Sequence, residues 1–440
     1  MLLNAADKAL WRLALPMIFS NITVPLLGLV DTAVIGHLDS PVYLGGVAVG
    51  ATATSFLFML LLFLRMSTTG LTAQAWGAKD PQRLARALVQ PLALALALGA
   101  GVLIILLRLP LIDLALHIVG GSEAVLEQAR RFLEIRWLSA PASLANLVLL
   151  GWLLGVQYAR APVILLVVGN LLNIVLDLWL VMGLRMNVQG AALATVTAEY
   201  ATLIIGLLMA KRVLTLRGVS LAMLKNAWRG DLRRLLALNR DIMLRSLLLQ
   251  LCFGALTVFG ARLGSDIVAV NAVLMTMLTF TAYALDGFAY AVEAHSGQAY
   301  GARDGSQLLE VWRAACRQSG MVALAFALVY SLAGGHIIAL LTSLPSLQQL
   351  ADRYLIWQTI LPVVGVWCYL LDGMFIGATR GAEMRNSMAV AAAGFAVTLL
   401  TLPVLGNHGL WLALAVFLAL RGLSLALIWR RHWRRGTWFS

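Results

Sequence analysis

The sequence predicts an all-α polytopic membrane protein of about 12 transmembrane helices in two six-helix lobes. Three observations carry that expectation: an apolar composition, a succession of apolar runs of bilayer length, and an internal duplication. Of 440 residues, 61% are apolar and only 12% charged, with a mean hydropathy of +0.87. Soluble proteins run near 45–50% apolar and about 25% charged. Crossing a hydrocarbon layer about 30 Å thick takes roughly 20 predominantly apolar residues. Runs of that kind lie near 9–36, 44–66, 88–108, 130–158, 162–183, 188–210, 238–261, 267–297, 314–336, 354–378, 386–405 and 408–430. They are continuous and do not alternate at period two, which argues against a β-barrel. The first run is too long for a cleavable signal peptide and lacks a small-residue cleavage site, so it is read as a span.

The duplication sets the lobes. "AQAWGAKDPQRL" at 73–84 recurs as "GQAYGARDGSQL" at 297–308, with six of twelve positions identical and an offset of 224. At the same offset Gly36 matches Gly260. "GWLLG" at 151–155 matches "GMFIG" at 373–377 at an offset of 222. Each half therefore holds six spans, an even number, and the halves form a parallel repeat about an axis along the membrane normal. The expected domains are an N-terminal lobe over 1–210, a basic linker over 211–237, a C-terminal lobe over 238–430 and a basic tail over 431–440. Two such lobes rocking about a central cavity are the architecture of a carrier working by alternating access.

The net charge of +13 and pI near 10.3 do not point to nucleic acid. With both termini on the cytoplasmic side, Lys and Arg divide 23 inside to 6 outside, and Arg65, Arg136, Arg245 and Arg421 lie within spans. That is the positive-inside bias of a multi-pass inner-membrane protein, with the linker and tail close to anionic lipid heads. Cys252, Cys316 and Cys368 are scattered without CxxC spacing, and no Walker loop, HExxH motif or ligand-spaced histidine pair occurs. No metal, cofactor or enzymatic constellation is expected. The partners are small organic substrates and the lipid bilayer, and the chain is expected to act as a monomer.

The acids inside the spans are the candidates for function: Asp31, Asp177, Glu199, Asp286, Glu293 and Asp372, with Glu134 near the start of the fourth span. An ionised, unpaired carboxylate in hydrocarbon costs several kcal/mol on the order of insertion scales. Asn170, Asn173 and Asp177 fall on one face of span 5, as do Thr195, Glu199 and Thr202 on span 6, and Asp286, Tyr290 and Glu293 on span 8. Arg65 and Arg245 are the candidates to neutralise Glu199 or Glu293, and Glu134 with Arg136 is read as structural. Asp31 and Asp177 share their spans with no deep positive charge. Desolvation favours the neutral form of a carboxyl group, so each suits a proton switch that responds to the side on which a cavity opens. The "QAWGAKD" and "QAYGARD" segments are read as structural hinges or anchors at helix ends.

At these motifs the chain resembles the multidrug and toxic compound extrusion (MATE) transporters, in their DinF branch. The likeness covers "ALWRLALPMIFSNITVPLLGLVDTAVIGHLDS", "LRMSTTGLTAQAWGAKD", "GNLLNIVLDLWLVMGL", "GAALAT" and "LLDGMFIGATR". It implies an N-lobe proton site at Asp31, Asn173 and Asp177 with Thr195, and a first helix that bends at Pro16. It also implies that Asp372 lines the cavity; Glu199, Asp286 and Glu293 are secondary candidates. Span 7 departs from sodium-coupled branches, having no acid beyond Asp241 at its entrance, which favours H+ over Na+ as the coupling ion. The expected function is cation-coupled export of amphipathic or cationic organic compounds. The alternatives are a sodium-coupled exporter, for which oxygen ligands at Asn173, Asp31 and Asp177 suffice, and a lipid-linked precursor flippase, which the excess of seven acids over four arginines disfavours.

Overall fold

The computed structural model describes residues 3–36, 38, 40–108, 111–119, 122–227, 229–230 and 232–440. The side chains at 23–33, 36, 41, 56, 107, 111, 115, 118 and 119 lie outside that description. The regular secondary structure of the described residues is all helical, with no strand among them. The first apolar run lies on a helix over Ala5–Gly36, span 1. Among the described residues, eleven further helices are long and apolar enough to cross a membrane: Val42–Gly77, Pro81–Leu106, Glu123–Gly155, Arg160–Gly183, Asn187–Leu216, Leu232–Arg262, Ser265–Ala302, Gly305–Leu341, Pro345–Gly377, Gly381–Leu405 and Asn407–Arg435. Numbered spans 2 to 12 in that order, they carry the remaining expected runs to within several residues. All twelve apolar runs are therefore helices, as composition and length required.

By internal contacts the chain divides into two compact units, one over 22–235 and one joining 1–21 to 236–440. Within the second, the start of span 1 is held by polar and aromatic contacts. Trp11 Nε1 donates to Gln318 Oε1 (2.9 Å), Arg317 pairs with Asp7 (3.0 Å) and Asn21 Nδ2 donates to the Tyr283 carbonyl (3.1 Å). The Trp11 ring meets Phe288 edge-on at 4.9 Å. Helix 5–36 continues through Pro16, which has no N–H for the preceding turn.

The duplicated glycines explain themselves in three dimensions. A Cβ on Gly151 would lie 2.5 Å from the Arg65 carbonyl oxygen, and one on Gly155 would lie 2.7 Å from Thr72 Cβ and 3.0 Å from the Thr69 carbonyl. In the second unit, a Cβ on Gly373 would lie 2.7 Å from the Ala289 carbonyl, and one on Gly377 would lie 2.8 Å from the Glu293 carbonyl and 2.5 Å from Ser296 Oγ. Residues 65, 69 and 72 become 289, 293 and 296 at the sequence offset of 224. The same backbone-to-backbone approach is thus built twice, span 4 on span 2 and span 10 on span 8. Small residues four apart permit it where lipid offers no hydrophobic drive for helix association.

The second repeated motif is a helix–turn–helix joint. Lys79 and Arg303 take the left-handed conformation (φ 54° and 53°) and close the preceding helices. Asp80 Oδ1 then accepts from the N–H groups of Gln82 (3.1 Å) and Arg83 (3.3 Å), and Asp304 Oδ1 from Gln307 N–H (3.1 Å). Gly77 and Gly301 lie at helix ends as expected, yet the left-handed residue in each copy is the basic one. The linker folds a short helix, Leu221–Asn226, whose N-cap Ser220 accepts from Met223 N–H at 3.3 Å. The basic tail is also ordered by contacts. Span 12 ends at Arg435, and the next residues fold back so that Arg380 donates to the carbonyls of Thr437 (3.0 Å) and Trp438 (2.8 Å) while the Trp438 ring buries against Phe375.

Replacing Gly155 or Gly377 by Leu is expected to destabilise the protein by about 1–3 kcal/mol through overpacking. Gly254→Leu, at a position with open space around it, is the matched control. Thermal melting in detergent reads the difference; equal melting temperatures for all three variants and wild type would refute the packing account.

Candidate functional site

The polar stripe of span 5 lies on its last helical turns. Asn173 and Asp177, one turn apart on one face, are 2% and 1% exposed. Asn173 Nδ2 donates to Thr195 Oγ1 on span 6 at 3.4 Å, and the threonine hydroxyl donates to the Ala191 carbonyl at 3.2 Å. Asn173 Oδ1 is buried and accepts no hydrogen bond among the described residues. Three of the four residues expected at the N-lobe site are therefore neighbours. Asp31 lies on helix 5–36, and its side chain is outside the described residues.

Directly after Asp177 the helix widens into a π turn over Leu178–Gly183, with Leu184 N–H bonded to the Trp179 carbonyl at 2.9 Å. Such turns insert a residue into the helical ladder and re-aim what precedes them. Gly190, the first residue of "GAALAT", faces this turn: a Cβ there would lie 3.1 Å from the Leu180 carbonyl. The motif thus does two jobs, admitting the π turn at Gly190 and supplying the Thr195 hydroxyl one and a half turns on.

One turn beyond Thr195, Glu199 has different company. Arg136 approaches both carboxylate oxygens (3.0 and 3.4 Å), Ser143 donates to it, and Asn146 Nδ2 donates to the Glu199 carbonyl at 3.1 Å. Arg136 comes from a helical segment, Glu123–Arg136, that tightens into a 3₁₀ turn at Trp137–Ser139, where Ser139 accepts from the same guanidinium. Arg136, and neither Arg65 nor Arg245, neutralises Glu199. Glu134 is exposed and is not the partner of Arg136 among the described contacts.

In the unit containing 236–440, Asp372 is 8% exposed and accepts from two guanidiniums, Arg245 on span 7 and Arg421 on span 12, the latter at 3.2 Å. Asp286 on span 8 lies within Coulombic reach of Arg421. Two acids and two arginines thus gather at that centre. Arg245 is committed to Asp372, not to Glu199 or Glu293 as expected from sequence. Glu293 is buried (2% exposed) on the face of span 8 that receives Gly377, and Pro16 is half-buried on span 1. Sequence reasoning missed Ser143, Asn146 and the π turn; the lone arginines in spans 4, 7 and 12 were the visible sign of the ion pairs.

The comparisons with known proteins agree with this architecture. The MatE family model matches twice, over 16–179 and 242–405, once in each half of the repeat. The chain is 87% identical over 438 residues to DNA damage-inducible protein F of Escherichia coli (strain K12), covering 100% of this chain and 95% of that one. It is 23% identical over 433 residues to the probable multidrug resistance protein NorM of Acinetobacter baylyi (strain ATCC 33305 / BD413 / ADP1), covering 96% and 94%. A MATE protein solved in a bent conformation superposes with a TM-score of 0.84 at 23% identity, covering 98% of this chain and 96% of that one.

Asp372→Asn is expected to leave two buried guanidiniums without their carboxylate and to cost roughly 3–5 kcal/mol of stability. Arg245→Ala should cost less, because Arg421 still holds the acid. Detergent-solubilised melting curves in which the two variants rank the other way would contradict the pairing. The duplicated helical scaffold, the paired match to one family model and the 87% identical relative lead to one conclusion: the chain belongs to the MATE family of membrane transporters.

Proposed function

We propose that the protein exports organic, amphipathic or cationic compounds across the bacterial inner membrane in exchange for cations, protons by preference. Transport proceeds by alternating access, with both termini cytoplasmic. The coupling site comprises Asp31, Asn173, Asp177 and Thr195, and Pro16 lets span 1 bend as the site changes protonation. The observation that carries this reading is the near-complete burial of Asp177 and Asn173 beside the Thr195 hydroxyl. Burial on the same helical face as Asn173 makes the Asp177 carboxyl group sensitive to whether a cavity admits water to it. Glu199 and Asp372 are paired with guanidiniums, which suits them to framing the helices.

The export of drugs is supported by family membership and by relatives such as the NorM protein, described as a probable multidrug resistance protein. Sodium coupling is the second reading, and the buried Asn173 Oδ1 favours it: an amide oxygen that accepts no hydrogen bond among the described residues, one turn from a carboxylate, is the ligand type a hard cation takes.

Substrate-driven pH change in proteoliposomes, with and without sodium, separates the two. Proton movement independent of sodium is expected; movement that vanishes without sodium would reverse the choice. Asp31→Asn and Asp177→Asn are each expected to lower proton-coupled efflux by about tenfold or more, equivalent to about 1.4 kcal/mol, with melting unchanged. Wild-type uphill transport by Asp177→Asn in inverted vesicles would remove that residue from the coupling site.

A further inference from the structure

The unit over 22–235 holds a second polar centre that the coupling site does not use. Span 3 begins at Pro81 and span 7 at Leu232. Near those two starts Arg83, Arg86 and Arg234 line a single cavity of about 70 Å³, together with Gln90 and the apolar Leu71 and Pro91. Arg83, Arg86 and Gln90 are spaced i, i+3 and i+7, so one face of span 3 presents all three. Arg83 lies within Coulombic reach of Arg234, Asp80 and Arg86, and Arg234 also donates to Gln74 Oε1 at 3.4 Å. The acid nearest in sequence, Asp80, accepts the backbone N–H groups of Gln82 and Arg83 and caps the helix. Asp231 lies outside the described residues.

Three like charges around a small cavity repel one another, and an anion that bridges them relieves the cost. The Arg86 guanidinium packs closely against the chain before span 7. Gly230, with φ +141°, lies so close that a Cβ there would come within 2.6 Å of Arg86 Nε, and that Nε is buried without a hydrogen-bond partner among the described residues. A guanidinium fork matches phosphate oxygens in geometry and charge.

We propose that this cavity binds a phosphate group between Arg83, Arg86 and Arg234, as the headgroup of an anionic phospholipid. Arg83 is in the first turn of span 3, and Gln90 lies seven residues further, about 10 Å along the axis. That interval runs from the membrane edge towards the hydrocarbon, and the Leu71 and Pro91 walls suit glycerol and acyl carbons. Basic pockets between transmembrane helices are known headgroup sites. Seated there, the lipid would tie the first turn of span 7 to span 3.

Native mass spectrometry of the full-length protein in detergent tests the proposal, with phosphatidylglycerol, phosphatidylcholine and inorganic phosphate as separate probes. Wild type is expected to retain phosphatidylglycerol in preference to phosphatidylcholine, and Arg83→Gln/Arg86→Gln to weaken phosphatidylglycerol binding by about tenfold or more, the loss of one or two charge-assisted hydrogen bonds. The control Arg229→Gln/Arg233→Gln removes exposed charges of the same segment outside the cavity and should bind as wild type. Adducts with inorganic phosphate and none with phosphatidylglycerol would assign the site to the free ion and overturn the lipid assignment. Undiminished binding of both probes by the cavity variant, or equal losses in the control, would overturn the site itself.

Discussion

An ionised side chain buried among apolar helices must meet a counter-charge or give up its charge, and this requirement organises both units of the protein. Arg136 and Glu199 answer it in the unit over 22–235, and Arg245, Arg421 and Asp372 in the unit that contains 236–440. Because each partner comes from a different span, the pairs also decide which helix faces meet. Glu199 ties span 6 to span 4, and Asp372 ties span 10 to spans 7 and 12. Removing one partner strands the other in a medium that does not solvate it, so these contacts constrain helix rotation more tightly than apolar packing alone.

Span 6 shows how a framework of this kind can adjoin a responsive site. Thr195 and Glu199 are one turn apart on the same face, and their surroundings differ in kind. Glu199 is gripped by a guanidinium and by Ser143, while Thr195 faces a buried amide with Asp177 on the same stripe. The ion pair joins span 6 to span 4, while the stripe one turn away is held by an amide–hydroxyl contact to span 5. The π turn after Asp177 adds a second device, since its wider hydrogen bonding is accommodated by Gly190 on the facing helix.

The internal repeat is faithful in backbone and unfaithful in charge. Gly151 and Gly155 approach span 2 as Gly373 and Gly377 approach span 8, and both helix–turn–helix joints use a left-handed basic residue followed by a capping aspartate. Yet Asp31 matches Ala255, Arg65 matches Ala289, and Asp372 precedes its glycine where Leu150 precedes the other. Duplication preserved what close helix packing demands and left the ionisable positions free to diverge, which is how one half comes to hold the Asn173–Thr195 stripe and the other the cluster of Asp372 with Arg245 and Arg421.

The fold class, the spans and the duplication were legible in the sequence because each follows from a one-dimensional quantity: run length against bilayer thickness, and identity at a fixed offset. The stripes of spans 5 and 6 were legible for the same reason, since helical spacing alone puts Asn173 with Asp177 and Thr195 with Glu199. Partner choice was not. Arg136 stands 63 residues from Glu199, and Arg245 stands 127 from Asp372; composition offers several arginines to each acid, and helix rotation selects one. The use of the repeated glycines, the π turn and the burial of Trp438 in a basic tail likewise depend on which surfaces meet. Sequence by itself determined what must be helical and which side chains cannot face lipid; tertiary structure decided which arginine meets Glu199 and which meet Asp372, because only packing sets the distances on which electrostatics acts.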